Sequence, residues 1–539
     1  MALPAVLIAL PKGAGLSGIT SWAANLSPAL ARRGHRVMVL VHATREAPTL
    51  GPLEGLALGG AEGRVACRLL RGCPAIDDEV PEPRPELPAY VEAVSELSGE
   101  SKAPVIGLAS HAVRVFGLMA AASRAVMGKK ESGVLRTIGY VHNDIPYDVW
   151  TLRHYERLLH RLVGVSSEIT TALARAVPGR AGDVVRLPYG VSVPEWGPER
   201  VPEWTAVRTA LGGRPLRLVY TGRMYREQKR VDALIDMSRE LARRGVWHEL
   251  TLVGDGPMSQ EIDALAAESR GRVRRVSVEP AGVSAWLERS DILVMASRYE
   301  GLSVSMLEAM AHGCVPVVTR VSGVADAVEN AVAGSCCVVV SAGPSVDEPG
   351  LGALLAEGVM EAVETGLPAL GARAASRARR SYSVDVMADA VSAMCRDVAR
   401  EPARVWGDGP TDPGDFTVPV DATERVRRAL EERAPGARVA LWGAGRHTRR
   451  VLEDAPELRS GERVALILDD QAGPEGGELF GIRVVAPARA SEFGVTDVVI
   501  SSAMHEDALW VRRGELERFG ARVHRLYATS AAHENAPAR

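Results

Sequence analysis

Short runs of aliphatic and β-branched residues alternate along this chain with longer stretches whose apolar positions recur every three or four residues. In the first part the runs are AVLIAL (Ala5–Leu10), RVMVLV (Arg36–Val41), APVIGL (Ala103–Leu108), TIGYVH (Thr137–His142) and RLVGVS (Arg161–Ser166). In the second they are LRLVYTG (Leu216–Gly222), HELTLVG (His248–Gly254), RVRRVSV (Arg272–Val278), DILVMAS (Asp291–Ser297), CVPVVT (Cys314–Thr319) and CCVVV (Cys336–Val340). Continuous apolar runs are strands buried on both faces, and the helical stretches between them are crossovers, so each series predicts a parallel sheet covered by helices. A third series follows, with RVALW and a glycine turn, then RVALILDD, TDVVISS and RVHRLY.

The breaks between the series set the domain boundaries. The stretch VPEWGPERVPEW is rich in proline and charge, which puts the first boundary near residues 196–211. EPARVWGDGPTDPGDFTVPVD (Glu401–Asp421) is dominated by proline, glycine and aspartate and reads as a linker. The resulting division is 1–204, 205–400, linker 401–421 and 422–532, with a fraying tail. Arg377–Arg400 reads as a closing helical segment of the second domain.

Composition narrows the class without naming a chemistry. Hydrophobic residues make up 46% and charged residues 24%, as in globular chains. Lys+Arg number 64 against 67 Asp+Glu, a net charge of −3 that gives no reason to expect nucleic acid. Six cysteines with no CxxC pair suggest buried thiols in a reducing compartment and no zinc site. The opening MALPAVLIALPKG lacks a basic leader and is broken by Pro4 and Pro11, so it reads as a buried strand and not a signal peptide. With no apolar run of the roughly 18 residues a membrane span needs, the expected location is the cytoplasm. Val149–Val163 (VWTLRHYERLLHRLV) is basic and amphipathic. It reads as a charged surface helix, with contact to the inner face of an acidic membrane as the other reading.

The segment that carries most chemistry is SRYEGLSVSMLEAMAHGCVPVV, Ser297 to Val318. Glu300 and Glu308 stand eight residues apart, a little over two helical turns, across a turn of small residues and into a helix. Glu300 then lies in the loop and Glu308 inside the helix. The N–H groups of Gly301, Leu302 and Ser303 would face whatever occupies the adjoining cleft. Carboxylates accept from hydroxyls and amides donate to oxygens, so a hydroxyl-rich, phosphate-bearing ligand suits them. A second constellation is YTGRMYREQKRVDALI (Tyr220–Ile235), a strand, a basic loop and a helix from about Val231. Arg223 and Lys229 flank that loop and can neutralise a diphosphate.

Together these segments resemble the family-4 retaining glycosyltransferases. The carriers are the Glu-x7-Glu pattern of Glu300 and Glu308, the string Leu307-Glu308-Ala309-Met310-Ala311 with Gly313 and Pro316, and Arg223 and Lys229 in Gly-Arg-x(4–6)-Lys spacing. The resemblance implies a GT-B fold: two Rossmann-like parallel-sheet domains with an interdomain cleft, the acceptor side in the first and the donor side in the second. It implies a nucleotide-sugar donor carrying UDP, GDP or ADP, with no cofactor and no metal. The chain has no Asp-x-Asp triplet, the metal anchor of the other main glycosyltransferase fold. Glu308 would accept from the ribose. Glu300 and the amides of Gly301 to Ser303 would hold the sugar, and Arg223 and Lys229 the diphosphate. The acceptor, a glycan, a lipid-linked sugar or a small molecule, would attack from the face the leaving group vacates.

Further positions match more loosely. Gly254, in LVGDGPM, begins a turn that in the family lies beside the nucleotide. Gly18 matches the second glycine of the family's opening loop, with Ser17 in place of the first. His142 ends a strand at the sheet's lip, near the donor sugar in the family, with Asp144 two residues on. RLPYGVSVP departs from the usual Pro-Asn-Gly-Val by carrying Tyr189, and VSVEPAG departs near the base. In the third series, GAGRHT half-matches a dinucleotide turn. Gly443 and Gly445 are its glycines, Thr448 stands in the third position, and Asp469 and Asp470 end the next strand. Nucleotide binding and a structural role both fit. Two other functions fit the whole chain, a sugar-nucleotide epimerase and a non-catalytic sugar-nucleotide sensor.

Overall fold

The computed structural model describes residues 3–11, 18–43, 49–50, 53–54, 64–71, 85–99, 104–110, 112–128, 135–195, 213–328, 336–341, 348–407, 421–434, 436–461, 463–470, 472–473, 475–502 and 506–527. The chain divides into two units, 1–412 and 413–539. Ser17, the first proposed boundary and the C-terminal tail lie outside the described residues, as does most of the linker.

The first unit holds two sheets. In the N-terminal one, β1 (Ala5–Leu10), β2 (Val37–His42), β3 (Val65–Leu70), β4 (Val105–Ser110), β5 (Leu135–Val141), β6 (Leu159–Gly164) and β7 (Val184–Arg186) lie in the order 3-2-1-4-5-6-7. Every described pairing is parallel. The second sheet has β8 (Leu216–Thr221), β9 (His248–Val253), β10 (Val273–Val276), β11 (Ile292–Met295), β12 (Val315–Thr319) and β13 (Val338–Val340), in the order 10-9-8-11-12-13, again all parallel. The central strands are buried along nearly their whole length, as continuous apolar runs require. In both sheets the order reverses beside the first strand, so both open crevices at their carboxyl edges, where α/β folds bind ligands.

The helices Leu367–Ser381 and Val384–Val398 end the second domain and return the chain to the first. Between them Val191 forms a parallel bridge with Ser383, and its N–H and C=O bond Tyr382 O and Val384 N at 2.8 and 3.0 Å. Gly190 is packed so tightly there that a β-carbon would meet Ser383 O at 2.7 Å. Beyond Val398 the stretch read as linker is still packed, through Gly407. Arg161 pairs with Glu401 at 2.6 Å, His160 bonds Pro402 O at 3.0 Å, and the Trp406 ring lies 5.2 Å from Tyr155.

Val149–Val163 is not one helix. The helix Pro146–His154 ends there and β6 begins at Leu159, with Leu158, Leu159, Leu162 and Val163 buried. Of its basic residues, Arg161 and His160 are engaged by Glu401 and Pro402 and do not join one charged helical face. Strands β3 and β7, absent from the sequence reading, complete the edges of the first sheet.

The second unit has β14 (Val439–Trp442), β15 (Leu466–Leu468), β16 (Gly477–Leu479), β17 (Ile482–Val485), β18 (Asp497–Ile500) and β19 (Arg522–His524), in the order 16-17-15-14-18-19. All its pairings are parallel except β16 with β17. This is a Rossmann-like sheet. No described helix in either unit is long and apolar enough to cross a membrane.

Candidate active site

Two glycine turns interlock at the carboxyl ends of β8 and β9. A β-carbon on Gly254 would fall 2.0 Å from Gly222 O, and one on Gly256 would fall 2.5 Å from Met224 O. Only glycines let the two loops lie this close. The loop after Gly222 contains the short helix Arg226–Lys229 and then Arg230, in left-handed conformation at φ 47°, before the helix Val231–Arg243. Arg230 is buried, and its guanidinium donates to Ala296 O at 2.7 Å and Ser297 O at 3.2 Å. It therefore ties the basic loop to the end of β11. Arg226 is spent on Asp232 and Glu261.

That tie brings the two sequence motifs together. Lys229 Nζ forms an ion pair with Glu300, both side chains being largely buried. Arg223 stands exposed on the rim, stacked over Tyr225 at 5.7 Å and bonded to Gln228 at 3.3 Å. Lys229 and Glu300 thus meet at the carboxyl edge of the second sheet, with Arg223 on the rim beside them.

The chain then turns through Gly301 to Ser303 into the helix Val304–Ala311. The Ser303 side chain accepts from Met306 N at 3.2 Å and caps the helix, and Gly313 at φ 64° ends it. The N–H groups of Gly301, Leu302 and Ser303 find no acceptor among the described residues. Glu308, in the second turn, is half-buried with no donor to its carboxylate among the described residues. Burial pushes it up to about 7.

The N-terminal domain closes over this unit. Gly301 packs against the main chain of His142, Asp144 N donates to Glu300 O at 3.3 Å, and Gly18 faces Val304 at 3.4 Å. On the flank, Ser167 N donates to Asp326 at 2.6 Å, and Gly323 N to Glu168 at 3.2 Å. Gly18, His142, Glu300 and Gly301 therefore meet, although they come from opposite halves.

The His142 ring itself is buried and engaged. Nδ1 lies 2.8 Å from Tyr189 Oη and Nε2 3.2 Å from Ser110 Oγ, with Tyr189 stacked on it at 5.8 Å. What His142 presents to the donor loop is its carbonyl. Tyr189, read from the sequence as a departure, is this ring's partner. Asp148, which sequence reasoning missed, is fully buried beneath the same loop and accepts from Asn143 N at 3.3 Å. Burial drives its carboxyl well above the ordinary range, and its Oδ1 has no partner among the described residues.

In the second unit, Gly443 sits at φ 114°, where a β-carbon would lie 3.2 Å from Ser501 O. Asp469 does not stand free for a ribose: its Oδ2 accepts from Ala444 N at 2.6 Å, inside the glycine turn. Thr448, in the third glycine's place, bonds Gly443 O and Ser501. Gly445 has open space beside it.

Comparison with known proteins bears on the fold and on the second sheet. Residues 215–348 match the family model described as glycosyl transferases group 1. The glycogen synthase of Bordetella petrii is 25% identical over 216 residues, covering 35% of this chain and 42% of that one. The chain spans less than half the length of the curated relatives it matches. Among solved structures, HepE of Anabaena, in complex with UDP, aligns with TM-score 0.52 at 14% identity, over 73% of this chain and 100% of that one. A glycosyltransferase from Rickettsia africae aligns with TM-score 0.54 at 13% identity, over 74% and 100%. The fold of the two large sheets is GT-B.

Proposed function

We propose that this chain, whose residues 215–348 are a glycosyl transferases group 1 domain, is a retaining, metal-independent glycosyltransferase using a nucleotide-sugar donor. The observation that carries the reading is the meeting of Lys229 with Glu300 at the carboxyl edge of one sheet, beside three amides without acceptors among the described residues. A sugar diphosphate supplies what each group lacks. Its phosphates would draw Lys229 away from Glu300 and recruit Arg223 from the rim. Its sugar hydroxyls would donate to the Glu300 carboxylate so released, and its ribose to Glu308.

Fixed dipoles and cations aimed at the leaving diphosphate stabilise charge as it develops, with little reorganisation at the moment of reaction. The acceptor, a glycan, a lipid-linked sugar or a small molecule, would attack on the face the diphosphate leaves. The departing phosphate oxygen would take its proton. Contact between Gly301 and the His142 main chain would keep water out of the donor site. UDP is the first nucleotide to test, because HepE of Anabaena is solved with it.

The deciding experiment is a thermal-shift titration with UDP, GDP, ADP and their sugar conjugates, beside Lys229→Ala and Glu308→Ala. A ligand that binds only the folded chain must raise its melting temperature. Stabilisation by one nucleotide series, lost in both variants, supports the donor site. No shift with any of them, in a chain that melts cooperatively, refutes it.

A further inference from the structure

At the other end of the second sheet, where β8, β9 and β10 begin, lies a cavity of about 320 Å3. Arg217, Glu249, Thr251, Arg274, Trp286 and Arg289 line it. Nothing in the donor reading uses it, since the donor loops leave the opposite edges of the same strands.

Its arginines differ from six others on the surface of this domain. Arg214, Arg226, Arg239, Arg243, Arg244 and Arg275 each pair with a carboxylate. Among the described residues, no carboxylate pairs with Arg217, Arg274 or Arg289. Arg274 and Arg289 instead lie over the Trp286 ring, at 5.4 and 5.0 Å from its centroid. Arg274 Nε also donates to the buried Thr251 Oγ1 at 3.1 Å, and Arg217 reaches Arg289 O at 3.4 Å. These contacts hold the planar forks in place while the terminal nitrogens of Arg274 and Arg289 keep open donor positions. Three guanidiniums against one carboxylate, Glu249, leave a local charge of about +2. Preset guanidinium forks match the oxygens of phosphate, and the cavity exceeds a bare phosphate, leaving room for the carbon skeleton that bears it. Glu249 can accept hydroxyls of that skeleton and disfavours a second carboxylate.

We propose that this cavity binds a small sugar phosphate, held by Arg217, Arg274 and Arg289 around Trp286. The site stands apart from the donor cleft and does not depend on the function proposed for it.

The test is calorimetric titration of the full chain with glucose 1-phosphate, ribose 5-phosphate and inorganic phosphate at matched ionic strength. The variants are Arg274→Ala/Arg289→Ala, Trp286→Phe and Lys229→Ala. Arg274 and Arg289 are exposed, so their removal leaves the core intact; an unchanged melting temperature checks this. The expected result is one saturable site, tighter for a sugar phosphate than for inorganic phosphate. The arginine pair variant should weaken it by at least about tenfold and Lys229→Ala by less than about twofold. Trp286→Phe should abolish a ligand-induced change in tryptophan fluorescence. Binding unaffected by the arginine pair, binding lost in Lys229→Ala, or no saturable binding overturns the proposal. Failure of UDP to bind while sugar phosphates still do would refute the donor reading and leave this site standing.

Discussion

The carbonyl oxygen of His142 and the α-carbon of Gly301 are in such close contact that a β-carbon at residue 301 would fall 1.9 Å from that oxygen. No side chain fits there unless the two halves separate. Gly301→Ala should therefore hold the cleft open. Donor affinity should fall by about tenfold or more, with about 1–3 kcal/mol lost from stability. Nucleotide titration and thermal melting check this; an unchanged Kd would mean that the contact does not shape the donor site.

Lys229 and Glu300 neutralise each other in a largely buried place. Removing one partner leaves the other charged and desolvated, which costs more than removing both. Lys229→Met and Glu300→Leu singly should each destabilise by about 1–3 kcal/mol, and the double variant by less than their sum. Denaturant unfolding of the four proteins measures the coupling. Additive losses would mean that the pair is not formed in solution.

Glu308 carries a pH signature. Its folded pKa of about 7 lies above the ordinary 4.5, so between those values the folded chain binds more protons than the unfolded one. Its contribution to stability is fully present below 4.5 and is lost as pH rises towards 7. A nucleotide that bonds to the ionised carboxylate lowers that pKa and binds tighter as pH rises through about 7. Glu308→Gln should flatten both profiles. A Kd that keeps its slope in the variant would assign the titration elsewhere.

His142 tests differently from a proton-transfer residue. Tyr189→Phe strips Nδ1 of its partner and should cost about 1–2 kcal/mol of stability. Turnover should change by less than about fivefold, because the carbonyl and not the ring faces the donor loop. A collapse of kcat with intact nucleotide binding would return the ring to the chemistry.

In the second unit, Asp469→Ala leaves Ala444 N without its acceptor. A drop of about 1–2 kcal/mol in the melting of that unit is expected, read by calorimetry on the full chain. Unchanged melting would show that the carboxylate is available to a ligand.

The parallel sheets were legible because their strands are buried on both faces and so read as unbroken apolar runs. The segments proposed for the donor stood out for another reason: Glu300, Glu308 and the Arg223–Lys229 loop each occupy a few contiguous residues. What escaped depends on distant pairings. Val149–Val163 has helical charge spacing, yet Arg161 is matched by Glu401, some 240 positions on, and the stretch ends in strand β6. Tyr189 has meaning only beside His142, and Asp148 only beneath the loop that Glu300 meets. Asp469 sits where a ribose-binding acid belongs, and only the structure shows its oxygen turned into the glycine turn. Edge strands β3 and β7, partly exposed, lack the continuous pattern of the central ones.

The bridge between Val191 and Ser383 has a mechanical consequence. Among the described residues, the segment that leaves the first domain and the one that returns to it are fastened to each other at that backbone pairing. Two tethers pinned together at a point act as a door hinge: they resist sliding and leave rotation about the pin as the easy motion. Opening by such a rotation keeps the crossing helices packed and breaks contacts farther out, at Asp326 with Ser167, Glu168 with Gly323, and His142 with Gly301. The sugar site proposed for Glu300 lies among those outer contacts, so a small swing at Val191 would become a wide gap there.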